Sequence, residues 1–166
     1  MKMNKKLKKG FTLVELVVVI AVIAILAAVS VGAYFGVTES AKKSQAQQEG
    51  KALHTNMLLV ANDPANTSKA VFGKTGIVLP NDKLEAFETE VEAATGLGED
   101  VYNFVIADPA EGEAEAGDVV FGTISASKTF TAGVTAGATT TTYAAFKYYV
   151  DASHYAIFDI VTGAQA

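Results

Sequence analysis

The longest apolar stretch of the chain lies near its start and has the length of a membrane-spanning helix. No charged residue occurs from Leu16 to Thr38, and residues 16–29 are apolar without interruption. About 20 consecutive apolar residues in a helix cover the hydrocarbon thickness of a bilayer. We therefore predict that residues 11–37 form a hydrophobic helix that can cross a membrane.

The helical pattern continues beyond the apolar stretch and becomes amphipathic. After a polar but helix-compatible stretch, apolar residues recur on one face of a helix, at Leu53, Met57, Val60 and Ala61. Asp63 and Pro64 disfavour further helix, because a residue before proline avoids the helical conformation. We predict one continuous helix over residues 11–62, whose second half, residues 38–62, packs on a globular head.

A connecting segment, residues 63–100, follows the long helix, and its pattern predicts one short helix. Residues 65–79 are loop-like in composition, whereas Asp82 and Glu85 have the spacing of a capping box. Gly96 is a suitable terminator. The residues that we expect to face inward are Leu84, Phe87, Val91 and Ala94. The helix also contains four glutamates, Glu85, Glu88, Glu90 and Glu92. Because these side chains do not all lie on one side of the helix, we predict a solvated face rather than a metal site.

The last part of the chain, residues 101–166, has the pattern of short strands. Four runs rich in Val, Ile, Thr, Phe and Tyr are separated by Gly, Pro, Asp or Ser, which is typical of β-structure. They cover residues 101–106, 119–127, 140–150 and 155–161. Their short spacing predicts an antiparallel sheet. The predicted fold class is α+β: a long N-terminal helix, hydrophobic in its first half, packed on a small C-terminal antiparallel β-sheet.

Charge and cysteine content narrow the possible functions. The chain contains no cysteine, so neither disulfides nor thiolate chemistry is available. Five of its 13 basic residues fall in the first ten positions, where there is no acid; the other 8 basic and 18 acidic residues give a net charge of −10. Such a body repels phosphate backbones, so we do not expect nucleic acid as a partner.

The basic residues before the apolar helix predict its orientation in a membrane. They are Lys2, Lys5, Lys6, Lys8 and Lys9. Because positive residues remain cytoplasmic, the rest of the chain is expected on the outer face. A secretory signal peptide or a simple anchor would explain these features equally well. Neither explains Glu15, a carboxylate at the start of the apolar segment, where a charge costs roughly 2.5–3.5 kcal/mol near the helix centre and less toward the ends.

Cleavage of the chain between Gly10 and Phe11 would supply Glu15 with a partner. The new amine lies four residues before the carboxylate, and the two charges can neutralise each other in an apolar phase. Within one helix the two groups share a face. Between staggered helices they permit an intermolecular pair that sets the register.

The residues around this bond resemble the prepilin cleavage motif of type IV pilins and type II secretion pseudopilins, with Gly10, Phe11 and Glu15 at the motif positions. The resemblance covers residues 5–35. It implies that residues 1–10 are a leader peptide, that a membrane prepilin peptidase cuts after Gly10 and methylates the Phe11 amine, and that Glu15 pairs with this amine on a neighbouring subunit. It also implies a helical filament of copies of this chain, built with a pilus assembly platform and minor pilins.

The apolar helix departs from the family pattern at one point. Many members have a proline within this helix, whereas the present sequence has Gly32 and Gly36. Each glycine weakens a helix by about 1 kcal/mol. We predict a local bend or, in a filament, a stretched segment at residues 30–36; alternatively, the small residues allow close helix packing.

The leading hypothesis is a structural subunit of a type IV pilus-like extracellular filament. Such a subunit is first a single-pass protein of the cytoplasmic membrane with its head outside, and then part of a filament on the cell surface. One alternative is a pseudopilin of a type II secretion or competence system. Another is a membrane-tethered binding module that uses the N-terminal segment only for export.

The remaining candidate chemistry consists of an acidic segment and two histidines. The acids of this segment are Asp108, Glu111, Glu113, Glu115 and Asp118. Oxygen ligands suit calcium, but the spacing of these acids matches no defined calcium loop. A solvated turn is therefore the favoured interpretation. His54 and His154 lack a second ligand at a suitable spacing. We expect neither a catalytic site nor a cofactor.

Overall fold

A computed structural model describes residues 10–98, 101–133 and 139–166. The five lysines of the predicted leader lie outside these residues. The chain divides into two units, Met1–Ser40 and Ala41–Ala166. Its elements, in chain order, are α1 (Leu13–Asn62), β1 (Val71–Gly73), β2 (Gly76–Pro80), α2 (Leu84–Thr95), β3 (Asn103–Val105), β4 (Asp118–Ile124), β5 (Phe130–Ala132), β6 (Thr140–Tyr143), β7 (Ala145–Asp151) and β8 (His154–Asp159).

The described part of the first unit contains the apolar part of α1. In the part of the chain that the structure describes, α1 is the one helix long and apolar enough to cross a membrane, and its most apolar stretch has no buried residue. The α-helix continues through Gly32 and Gly36, where an added Cβ would meet no atom within 4 Å. The bend or stretch at these glycines stays a prediction.

The strands of the second unit form two sheets. The smaller sheet has the order β1-β2-β6 and is antiparallel throughout. The larger has the order β3-β4-β7-β8, with β5 also paired to β4. Its pairs are antiparallel except for β3 and β4, which run parallel. The α+β class is therefore confirmed, and the larger sheet is mixed rather than purely antiparallel.

The prediction of a loop over residues 65–79 was wrong, because β1 and β2 form a hairpin there. Ile77 and Leu79 are buried, whereas Val78 between them is half-buried. This alternation is the two-residue period of a strand with one face on a core. The run is so short, between a turn and Pro80, that its composition resembles that of a loop.

The run 140–150 was predicted as one strand and is two strands in different sheets. β6 pairs with β2 in the smaller sheet, and β7 lies between β4 and β8 in the larger sheet. The break falls at Ala144, whose amide donates to the Gly122 carbonyl at 3.0 Å. A continuous run of β-forming residues does not indicate the position at which the neighbouring strand changes.

The second half of α1 packs on the core of this unit by one face, as its periodicity predicts. Its buried residues are Ala46, Gly50, Leu53, Met57, Val60 and Ala61. They join a core that includes Phe87, Phe121, Phe146 and Phe158. Gly50 lies so close to the sheet that an added Cβ would be 2.1 Å from Cε2 of Phe158. The helix ends at Asn62, directly before Asp63 and Pro64, as predicted.

Polar contacts between α1 and the last two strands supplement this packing. Tyr148 donates its hydroxyl hydrogen to Glu49 at 2.8 Å, and Lys42 forms an ion pair with Asp151. His54 Nε2 lies 2.7 Å from the Ile160 carbonyl oxygen, and the ring stacks on Phe146. His54 therefore connects α1 to the chain that follows β8.

The capping box predicted for α2 is wrong, although the helix itself is confirmed. The residue at the N-cap is Lys83, and no side chain caps this end. Phe87 and Val91 are buried as predicted, but Ala94 is exposed. At the other end Gly96 has a φ of 68°, and its amide donates to the Glu92 carbonyl, so it terminates the helix as predicted.

The glutamates of α2 do not form the solvated face that was predicted. Glu92 is 6% exposed and accepts hydrogen bonds from the amides of Val101 and Tyr102 at 2.7 and 2.9 Å. Glu88 accepts one from the Phe104 amide at 2.8 Å. These carboxylates serve as acceptors for backbone groups at the start of the sheet.

Glu90 makes the corresponding contacts to the segment that follows α1. Its carboxylate accepts hydrogen bonds from the hydroxyls of Thr67 and Ser68 at 2.7 and 2.6 Å, and from the Thr67 amide. Burial raises the pKa of Glu90, but these hydrogen bonds outweigh it and hold the pKa below its ordinary value. Glu85 alone is exposed, so the prediction of a solvated face holds for one of the four side chains.

Candidate functional site

The bond between Gly10 and Phe11 lies just before α1, in a part of the chain without regular structure. Gly10 is exposed, and an added Cβ there would meet no atom within 4 Å. The Phe11 side chain is 86% exposed. The described side of the predicted cleavage site, residues 10–12, is therefore exposed and outside any helix or strand, where a peptidase can reach it.

Glu15 contacts Thr12 at the start of the helix. The Thr12 amide and hydroxyl both donate to Oε2 of Glu15, at 2.9 and 2.8 Å. In return the Glu15 amide donates to the Thr12 hydroxyl oxygen at 3.3 Å. Because Thr12 directly precedes the first helical residue, the two side chains form a reciprocal capping box.

Thr12 was not among the predicted site residues, although the pattern of threonine followed three residues later by glutamate was present in the sequence. Within one chain this capping box satisfies amides that the helix leaves without partners. It also holds the carboxylate at the N-terminal end of α1, where the helix dipole favours negative charge. Thr12 therefore positions the group that is predicted to pair with the new amine.

Hydroxyl groups near the two helix glycines donate to carbonyls one turn earlier. Ser30 donates to the Leu26 carbonyl at 2.7 Å, and Ser40 donates to the Gly36 carbonyl at 3.0 Å. Thr38 donates to the Tyr34 carbonyl at 3.0 Å. Such contacts compete with the helical hydrogen bonds and often accompany helix bending.

The weak calcium candidates are not brought together. Asp108 accepts hydrogen bonds from Lys147 and Tyr149, at 2.6 and 2.9 Å. Asp118 accepts hydrogen bonds from the side-chain amide of Asn103 at 2.7 Å and from the backbone amide of Glu115 at 2.9 Å. The other three, Glu111, Glu113 and Glu115, have exposed side chains. Within residues 10–98, 101–133 and 139–166, no group of three or more His, Asp or Glu side chains could hold a metal ion.

His154 contacts a carboxylate that the sequence analysis did not assign to it. Its Nδ1 lies 2.7 Å from Oδ1 of Asp151, three residues earlier in the hairpin turn. Burial raises the Asp151 pKa, but hydrogen bonds from Lys42, Ser153 and His154 outweigh it, so the pKa lies below its ordinary value. The ion pair between Asp151 and Lys42 joins the β7–β8 turn to α1.

Comparison with known proteins gives two matches to this chain. Residues 5–31 match the sequence profile described as the prokaryotic N-terminal methylation motif. The chain is also similar to the type IV major fimbrial protein FimA of Dichelobacter nodosus, with 31% identity over 108 residues, which are 65% of this chain and 69% of that protein. No solved structure matches the chain.

The long apolar helix, its capped carboxylate and the small α+β head define a class of protein that assembles through its N-terminal helix. The methylation motif includes both the predicted cleavage site and Glu15. The similarity to FimA extends over more than half of the chain. The chain belongs to the type IV pilin family.

Proposed function

We propose that this chain is a structural subunit of a type IV pilus-like filament and has no catalytic function. The observation that supports this proposal most directly is Glu15, a carboxylate held by Thr12 at the start of an apolar helix. An anchor or export signal has no use for such a group, whereas an assembling helix does. The similarity to a major fimbrial protein favours a pilus subunit over a pseudopilin.

Processing would proceed at the open segment before α1. Prepilin peptidase cuts between Gly10 and Phe11 and methylates the Phe11 amine. The basic leader stays on the cytoplasmic side, and the head lies outside the membrane. After assembly on the pilus platform with minor pilins, the head is part of a filament on the cell surface.

Glu15 would make assembly selective. In the membrane a carboxylate is costly, and Thr12 satisfies part of its hydrogen-bonding capacity. In the filament the Phe11 amine of a neighbouring subunit supplies the opposite charge, so the exchange of lipid for helix contacts is most favourable at the correct register. Gly32 and Gly36 would allow α1 to bend or stretch there. The Ser30 and Ser40 hydroxyls, which donate to backbone carbonyls one turn earlier, lie nearby in the sequence.

Variants of Glu15 test this proposal. Glu15→Gln retains an acceptor for Thr12 but removes the charge, and Glu15→Ala removes both. We expect both variants to reach normal levels in the membrane and to reduce sheared surface filaments at least about ten-fold, because breaking a buried ion pair costs about 3–5 kcal/mol.

Glu85→Gln is the matched control, since it neutralises an exposed acid of the head. It should leave the filament yield unchanged. If Glu15→Ala gave as many filaments as the unchanged chain, Glu15 would have no role in assembly and the proposed pairing with the Phe11 amine would be wrong.

A further inference from the structure

A cavity of about 560 Å³ opens on the head beside the β7–β8 turn. Its volume falls within the range of small-molecule sites, roughly 300–1,000 Å³. Strands β7 and β8 supply Lys147, Tyr149 and Tyr155 to its lining, and the acidic segment after β3 supplies Asp108 and Glu111. None of these residues belongs to the processing and assembly segment.

The polar groups of the cavity are held in place by one another. The Lys147 side chain is 10% exposed and donates to Asp108 at 2.6 Å and to the Tyr149 hydroxyl at 3.1 Å. The Tyr149 hydroxyl in turn donates to the other carboxylate oxygen of Asp108 at 2.9 Å. A site with fixed polar groups loses little conformational entropy when a ligand binds.

Tyr155 supplies an open aromatic surface at the same place. It is 47% exposed and is the one exposed aromatic side chain in the described part of the second unit. Its ring packs at an angle against Tyr149, with the ring centroids 5.2 Å apart. An exposed ring beside a polar cavity offers an apolar face to a ligand whose edges are polar.

Charge restricts the class of ligand that fits. A cation would compete with Lys147, whose Nζ already lies 4.6 Å from the centre of the Tyr155 ring and 5.3 Å from that of Tyr149. An anion would meet the carboxylates of Asp108 and Glu111 on a chain of net charge −5. A neutral ligand with an apolar ring face and several hydroxyl donors avoids both conflicts.

We propose that this cavity binds a neutral saccharide, whose ring stacks on Tyr155 and whose hydroxyls donate to Asp108 and Glu111. This site goes beyond the role of a filament subunit and does not depend on assembly. It can therefore be tested on single subunits.

The test uses the full chain in a polyoxyethylene detergent, because glycosidic detergents would compete for the site. A panel of neutral glycans is screened, and the best is measured by saturation-transfer NMR. Tyr155→Ala should weaken binding at least about ten-fold, and Tyr155→Phe, which keeps the ring, should stay within about two-fold. Glu111→Gln should weaken it by about two-fold or more, through loss of a charge-assisted hydrogen bond.

Leu97→Ala is the control, since Leu97 is another exposed apolar residue of the head and lies outside the cavity lining. It should bind as the unchanged chain does. Three results would overturn the proposal. The first is that no neutral glycan binds at about 10 mM, a concentration high enough to detect ligands that bind more weakly than about −4.1 kcal/mol, the value for a Kd of about 1 mM. The others are equal binding by a correctly folded Tyr155→Ala variant, or tighter binding of choline or sialic acid than of every neutral glycan.

Discussion

At the scale of single residues, Gly50 lets α1 lie directly against the sheet. The ring of Phe158 occupies the space that a side chain at position 50 would need, with Cε2 at 2.1 Å from the Cβ position. Phe158 is itself fully buried and stacks on Phe146, so it has little freedom to move. A glycine in a helix interior is ordinarily a weakness, and here the close packing offsets it.

Replacing Gly50 by alanine should therefore destabilise the head despite the better helix propensity of alanine. We expect a loss of about 1–3 kcal/mol, the usual cost of overpacking a core. The measurement is thermal unfolding of the full chain in detergent, followed by the near-ultraviolet circular dichroism of the tyrosines.

Gly36→Ala provides the comparison, because a Cβ at Gly36 meets no atom within 4 Å. It should leave the unfolding of the head unchanged. Equal or greater stability of the Gly50→Ala variant would contradict this close packing of α1 against Phe158.

At the scale of elements, α2 is connected to its neighbours by carboxylates rather than by an apolar face alone. Phe87 and Val91 face the core, while Glu88 and Glu92 accept hydrogen bonds from the chain entering β3. Glu90 accepts hydrogen bonds from the segment after α1. The position of α2 therefore depends on the hydrogen bonds that these carboxylates accept.

The Glu90 contacts predict a pH dependence of stability. Its pKa is lowered in the folded state, so its contribution is complete above the ordinary glutamate pKa of about 4.5 and is lost as pH falls through the lower folded value. At pH 7, Glu90→Gln should reduce the unfolding free energy by about 1 kcal/mol, the contribution of a partly exposed charged hydrogen bond. Urea titrations of both chains at pH 7 and at low pH measure this difference.

The difference in unfolding free energy between the two chains should narrow as pH falls below the ordinary pKa, because protonation then favours the unfolded chain. It should be smallest below the lowered folded pKa, where both chains carry a neutral group at position 90. Glu85→Gln is the control, since Glu85 is exposed. A gap that stayed constant with pH would mean that Glu90 acts by packing and not by its charge.

Elements with strong periodicity could be predicted from the sequence, and elements that depend on distant partners could not. The buried face of α1 and its end before Pro64 follow from spacing and local chemistry. The roles of Glu88, Glu90 and Glu92 depend on amides and hydroxyls that only the folded chain brings near. The parallel pairing of β3 and β4 likewise depends on where the acidic segment returns the chain.

The same division applies to the candidate site. The cleavage bond and the role of Glu15 stay predictions, and both come from local signals: a carboxylate in an apolar helix and the residues around Gly10. The Thr12 capping box is a local signal as well, because threonine followed three residues later by glutamate is its sequence pattern. The cavity at Tyr155 could not be predicted, since it joins side chains from three segments.

At the scale of the whole molecule, the chain consists of two units with different surroundings. The first contains the apolar part of α1, without a buried residue in its most apolar stretch, and the second buries a continuous aromatic core. An apolar helix of this kind needs lipid or neighbouring helices around it. A subunit that moves from the membrane into a filament meets this need in both places.

The most direct measurement is the intact mass and N-terminal sequence of the mature protein in filaments sheared from the cell surface. The account predicts a chain that begins at Phe11 and carries one additional methyl group on its amine. A chain that still begins at Met1, or one cut near Val31 as by a signal peptidase, would contradict prepilin processing and assembly through Glu15.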